Sequence, residues 1–213
     1  MKTLIVLECE RYIQPFMRAM LNVAQEHYDK IIIITNPLKK GDSIKNDKIS
    51  HIEIDNKTRK KAIITAPLRL FTTVALKQVA AAISKGKFNK EYLGVLRLYL
   101  CYGKAFYIKA KPYVMEGLKN GEVHILSCWF AVEAWSAALL KKKLPSVKAF
   151  SLAHSFEIDP LKNRFVDLTF NNSKHKYLDK IYFISTKMRE RYNENTQNIY
   201  AQEYKHQMDV SYL

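Results

Sequence analysis

His154 and Glu157 follow Lys148–Ala153 (KAFSLA), a short apolar run with one leading charge. That pattern predicts a strand covered on both faces. In an open α/β sheet the carboxyl ends of the strands are where ligands bind. An imidazole there titrates near working pH, and a carboxylate beside it can take or give a proton. The plainer reading is a histidine capping a loop and a glutamate in water. Two more strand ends carry residues of interest. Ser127-Cys128-Trp129-Phe130 closes a strand at Val123–Cys128, with Trp129 either core or ligand platform. Ile184-Ser185-Thr186 closes another at Lys180–Ile184, where a serine also suits the N-cap of the next helix. Glu8, Glu10 and Arg11 follow the first strand, Lys2–Leu7, where solvated loop charges are the default.

The remaining pattern supplies the elements that hold these ends. Tyr12–Gln25 reads as a helix with Ile13, Phe16, Met17, Met20 and Leu21 on one side. Lys30–Thr35 is a strand closed by Asn36-Pro37, and a polar loop with Gly41-Asp42 leads to a short strand at Ile52–Ile54. A long helical stretch, Pro67 to Lys119, is expected to break near Lys85-Gly86-Lys87 and at Pro112. Ala131–Lys142, Ser173–Leu178 and Thr186–Tyr192 read as helical, and Met208–Tyr212 as a last strand. Strands alternating with helices predict βαβ units: a Rossmann-like α/β domain with a mainly parallel sheet flanked by helices.

Several chemistries lack their signatures. No G-x-G-x-x-G, P-loop, H-E-x-x-H, G-x-S-x-G or D-x-D occurs, and the histidines are scattered. Neither a metal site nor a cofactor is therefore expected. Three separated cysteines suit a reducing compartment, and no apolar run reaches membrane-spanning length. The expected location is cytoplasmic.

The formal charge of +15 is the clearest bulk signal. It fits nucleic acid, an anionic membrane surface or phosphorylated ligands. From Lys57 to Lys111 thirteen cations accompany one carboxylate, Glu91. Lys90, Arg97, Lys104 and Lys111 recur every seven residues, which drifts only ~20° per step on an α-helix. Leu93, Leu100 and Ile108 accompany them, while Tyr92, Val95, Tyr99, Tyr102 and Phe106 line the opposite face. A basic face carrying leucines predicts docking on anionic lipid.

The order LSCWF, an amphipathic helix ending in KKK, then FSLAHSFEID, DKIYFIS-x-x-M and DVSYL resembles the amino-terminal half of bacterial GT-B glycosyltransferases of the family-4, retaining type. Tyr12-Ile13 in the opening helix and the Asp29-Lys30-Ile31 strand start are similar too. Ala153 and His154 match that family's pattern; Leu152, Ser155 and Glu157 stand where it has arginine, glycine and aspartate. The resemblance implies that residues 1–213 are one acceptor-side domain, one half of a GT-B fold. The donor domain, with its nucleotide-sugar site and paired glutamates, lies outside this chain. It implies a transferase acting without metal on a cell-envelope glycan or lipid-linked acceptor, peripheral at the inner face of the plasma membrane, and inactive as this fragment alone. His154 and Glu157 would be catalytic; Glu8, Arg11, Tyr12, Trp129, Ser155 and Ser185 would contact substrate. His154, Trp129, Ser185 and the Glu8–Tyr12 loop are expected to open onto one cleft, because those strand ends share an edge. A basic α/β nucleic-acid-binding protein and a non-catalytic adaptor of the same fold are the alternatives.

Overall fold

The computed structural model describes residues 1–39, 46–159 and 161–211. The loop at Gly41-Asp42, Pro160 and the Tyr212 end of the last expected strand lie outside them. Seven strands form one sheet: β1 (Lys2–Glu8), β2 (Lys30–Thr35), β3 (Ile49–Glu53), β4 (Glu122–Ser127), β5 (Lys148–Ala153), β6 (Lys180–Phe183) and β7 (Met208–Val210). Their order is β3-β2-β1-β4-β5-β6-β7, and every neighbouring pair is parallel. The fold is Rossmann-like α/β. The chain works outward from β1 in one direction and then from β4 in the other. The crevice between their carboxyl ends is thus the topological switch point, the default ligand position in such sheets.

Alternation along the strands splits the core in two. Ile5, Leu7, Ile32, Ile34, Val123 and Ile125 pack on one side against α6 (Lys104–Asn120) and α7 (Val132–Lys143). Leu4, Val6, Ile31 and Ile33 face α1 (Pro15–His27) through Met17 and Leu21. Both faces of β1 and β2 are covered, which is why KTLIVL and KIIIIT are nearly continuous apolar runs.

The segment between β3 and β4 departs from the expected long helix. It comprises α2 (Asn56–Ile64), α3 (Ala66–Leu70), α4 (Thr73–Ser84), α5 (Lys90–Leu98), a π-helical turn (Tyr99–Gly103) and α6. Asp55, Thr72 and Asn89 cap α2, α4 and α5 by accepting the N–H groups of Thr58, Ala75 and Tyr92. Pro112 does not break α6; it sits exposed while Phe106, Ala110 and Val114 anchor the helix on the sheet across the missing hydrogen bond. Gly103 is required by packing: a Cβ there would lie 2.5 Å from the Trp135 ring on α7.

The π-turn also corrects the basic stripe. A π-turn inserts an extra residue, and at 3.6 residues per turn this rotates the following helix by about 100°. Lys90 and Arg97 are exposed on α5, Leu100 is buried beneath them, and Lys104 is half-buried with its ammonium 3.7 Å above the Tyr107 ring. Lys111 is exposed on α6. The four cations therefore do not share one stripe. Tyr92, Tyr99 and Phe106 are buried as expected, whereas Tyr102 is exposed.

Candidate functional site

Glu8 ends β1 beside the switch point and is fully buried. Its Oε1 accepts from the Glu10 N–H at 2.9 Å and from the Trp129 indole N–H at 2.7 Å. That bond fixes Trp129, which follows β4, across the crevice. Burial raises the Glu8 pKa against these two donors.

Behind Trp129 stands His154, at the carboxyl end of β5. Its ring lies 4.5 Å from the Trp129 ring and 5.2 Å from that of Phe16 on α1. Nε2 is 3.1 Å from the Cys128 carbonyl. A carbonyl only accepts, so the bond assigns the proton to Nε2 and leaves Nδ1 as the acceptor nitrogen. Burial lowers the His154 pKa, with the carbonyl pulling the other way.

Glu157 lies on α8 (Ser155–Ile158), the short helix that His154 begins. Its Oε1 accepts from the Phe130 N–H at 3.0 Å, and its Oε2 has no partner in the protein. Burial pushes its pKa up to about 8 against the pull of the Phe130 N–H and of Lys174. Lys174, on α9 (Asn171–Tyr177), is itself fully buried. Its ammonium donates to the Phe130 carbonyl at 2.9 Å, lies 3.9 Å above the Phe130 ring, and is lowered by burial to about 7. A carboxyl raised and an amine lowered toward neutrality are the protonation behaviour expected of acid–base groups.

Glu133, in the first turn of α7, completes the acidic floor. It is fully buried, with the Cys9 thiol beside it and no hydrogen bond of good geometry to either oxygen among the described residues, and burial pushes it up to about 8 against the pull of Cys9. Cys9 is the polar group beside it; burial and the carboxylates raise the thiol far out of its ordinary range. Ligand atoms of Glu8, Cys9 and Glu133 lie within 4.8 Å of one another, the one cluster among the described residues with the donors to hold a metal ion. At neutral pH Glu133 and Cys9 carry their protons, and burial raises the Glu8 pKa as well.

Cys9, Trp129 and Glu157 border a cavity of about 670 Å³, which Glu8, Glu133, His154 and Lys174 do not line. Glu10, Asn36, Trp129, Glu157, Lys162 and Asn163 give it a polar side. Val95, Leu98, Tyr99, Tyr102 and Phe106, from α5 through the π-turn to α6, give it an apolar wall. Of the groups expected to share a cleft, Trp129 and Cys9 and Glu10 of the Glu8–Tyr12 loop line this cavity, and His154 and Ser185 do not; Glu157 lines it too. His154 stands behind Trp129 at the same sheet edge. Arg11 and Tyr12 are exposed: Arg11 Nε donates to the Pro37 carbonyl at 3.4 Å, and the Tyr12 hydroxyl accepts from Gln14. Ser155 accepts from Lys162 at 3.0 Å. Ser185 caps α10 (Thr186–Asn195) through the Met188 N–H at 3.2 Å.

Sequence reading missed Glu133, Cys9, Lys174 and Thr169. Glu133 alone had a signal, as the single carboxylate within the apolar stretch AVEAWSAALL. Lys174 in NNSKHKY looks like any surface lysine. A scan against protein-family models and a search of curated proteins each found no match to this chain.

Proposed function

We propose that this chain is the acceptor-side domain of a retaining glycosyltransferase whose acceptor is a glycan on a lipid. One observation carries the reading: the switch-point cavity is polar and acceptor-rich at one end and apolar at the other. Glu157, which lines the cavity, keeps Oε2 without a hydrogen-bond partner among the described residues; this suits a ligand rich in hydroxyl groups, because an unpaired buried acceptor is costly until a donor arrives. Trp129 offers a flat face held in place by Glu8. The apolar wall continues into α5, where Leu93 and Leu98 are exposed beside Lys90 and Arg97.

That outer surface supports a peripheral membrane position. Most exposed large hydrophobic residues fall between Ile63 and Tyr102, including Ile64 at 75%, Leu68 at 74% and Phe71 at 78% exposure. Lys60, Lys61, Lys77, Lys90 and Arg97 are interleaved with them. No described helix is long and apolar enough to cross a membrane, so the surface would lie on anionic lipid rather than span it.

In the reaction, the bond from the sugar C1 to the donor phosphate breaks and a bond from C1 to an acceptor hydroxyl oxygen forms. The hydroxyl proton leaves with the phosphate or to a base. His154, neutral and with Nδ1 free to accept, orients a hydroxyl at the strand edge; protonated Glu157 donates to oxygen or, once ionised, takes the proton. A companion domain would hold the nucleotide sugar.

The test uses lipid-linked saccharides in anionic nanodiscs. Saccharide should bind saturably and move the indole N–H resonance of Trp129. Failure of any lipid-linked saccharide to bind, with RNA moving that resonance instead, would replace this reading by nucleic-acid binding.

A further inference from the structure

A second cavity, about 240 Å³, lies between α3, the start of α4, α7 and α9. Arg69, Lys104 and Lys142 reach it from three different helices, with the side chains of Thr72 and Ser173, and no carboxylate lines it. We infer that this pocket binds a phosphate group, as a phosphomonoester or phosphodiester.

The surrounding charges make the case. Some lysines elsewhere have carboxylate partners, as Lys85 and Lys87 with Asp167, Lys109 with Asp55 and Lys141 with Asp179; what sets this pocket apart is that three cations from three helices converge on it. None of the ion pairs among the described residues uses Arg69, Lys104 or Lys142. Lys104 is half-buried and feels Arg69, Lys111, Lys143 and Lys61; burial first, and then these cations, bring it down to about 8. An anion in the pocket would relieve both terms at once, restoring the charged ammonium and giving it a partner.

The geometry favours a tetrahedral oxyanion. The Arg69 guanidinium is held in place by the carbonyls of Ala62 at 3.2 Å and Leu100 at 2.9 Å and by the Thr65 hydroxyl. It presents fixed positive charge rather than a free fork. Lys104 and Lys142 are point charges on flexible stems, which suits phosphate oxygens approached from several directions. Trp135, Leu100 and Leu139 form the apolar part of the lining, and the volume leaves room for a substituent on the phosphate. The inference does not rest on the glycosyltransferase reading, because none of these residues borders the switch-point cavity.

Two sources share this chemistry, a soluble phosphorylated compound and a lipid headgroup. The experiment titrates the full chain with inorganic phosphate and glycerol 3-phosphate, and separately with phosphatidylglycerol and phosphatidylcholine vesicles. Binding is read by calorimetry and by the indole N–H resonance of Trp135, one of the two tryptophans in the chain. Losing one charge-assisted contact should weaken binding by about tenfold or more, in Lys142→Gln and in Lys104→Gln. Lys142 is exposed, so its variant keeps the fold if Lys104→Gln does not. Soluble phosphates bound with this dependence identify a free phosphorylated ligand. Phosphatidylglycerol alone bound with the same dependence identifies a headgroup. Binding unchanged in Lys142→Gln, or no phosphate-bearing probe bound at all, overturns the inference.

Discussion

The floor of the switch-point cavity and the outer surface of α2–α5 depart from the usual distribution of side chains in opposite senses. Glu157 lines that floor and Glu8 and Glu133 are buried nearby, each with an oxygen that accepts no hydrogen bond of good geometry among the described residues. The outer surface leaves Ile64, Leu68 and Phe71 in solvent among cations. Burial raises the pKa of all three carboxyls, Glu133 and Glu157 to about 8; in the proposed reading Glu157 meets hydroxyl donors and the exposed aliphatics among lysines meet lipid. Each arrangement lowers the stability of the domain alone, and each is relieved by a different part of one amphipathic ligand.

The largest effect should come from the strand edge. If the proposed transferase is assembled with its companion domain, His154→Ala should lower kcat by roughly 10²-fold, the scale for removing one preorganised donor or acceptor at a transition state. Thermal unfolding should stay near wild type. Steady-state transfer kinetics check this, and near-normal kcat would make His154 a packing residue for Trp129.

Next comes the floor. Glu133 has a folded pKa of about 8 against an ordinary 4.5. Between those values the folded chain keeps a proton that the unfolded chain has released, so this group's contribution to stability falls as pH rises. Glu133→Gln has no such proton. Its Tm should match wild type near pH 5 and exceed it at pH 8 by roughly 3–8 °C. Calorimetry at both pH values checks the sign; a variant less stable at pH 8 would mean the carboxylate is ionised and paired.

The outer surface should respond in the converse way, in binding and not in stability. Lys90→Gln with Arg97→Gln should weaken partitioning to anionic vesicles by about tenfold or more, at ~1 kcal/mol per cation. Vesicle co-sedimentation at rising salt checks it, and equal partitioning of variant and wild type would separate these cations from lipid. The smallest effect belongs to Phe71→Ser. Its stability should stay within about ±0.5 kcal/mol of wild type while vesicle binding falls. A large loss of Tm would mean that Phe71 packs in the fold rather than facing lipid.

The difference between the two regions also governs what the sequence revealed. The strands were legible because β1, β2 and β5 are buried runs with a local signature, and their parallel order follows from strand–helix alternation. Where site residues sit at those strand ends, as with Trp129, His154 and Glu157, their placement was legible too. The helical segment was less so. The π-turn at Tyr99–Gly103 has no local code; it is set by Gly103 approaching Trp135 from a distant helix, and it shifts the register of every cation after it. Pro112 was misread because packing of Ala110 and Val114 outweighs one lost hydrogen bond. Lys174 and Glu133 meet only through tertiary contact around Phe130 and the β1 end, which no spacing along the chain encodes.

The most direct measurement follows the two indole N–H resonances during titration with a lipid-linked saccharide in anionic nanodiscs. Trp129 borders the acceptor-rich cavity and Trp135 borders the basic pocket, so the two sites report separately. The account predicts that the saccharide moves the Trp129 resonance saturably, and that this response weakens in Glu157→Gln. A Trp129 resonance unmoved by every saccharide, or moved equally in Glu157→Gln, would contradict it.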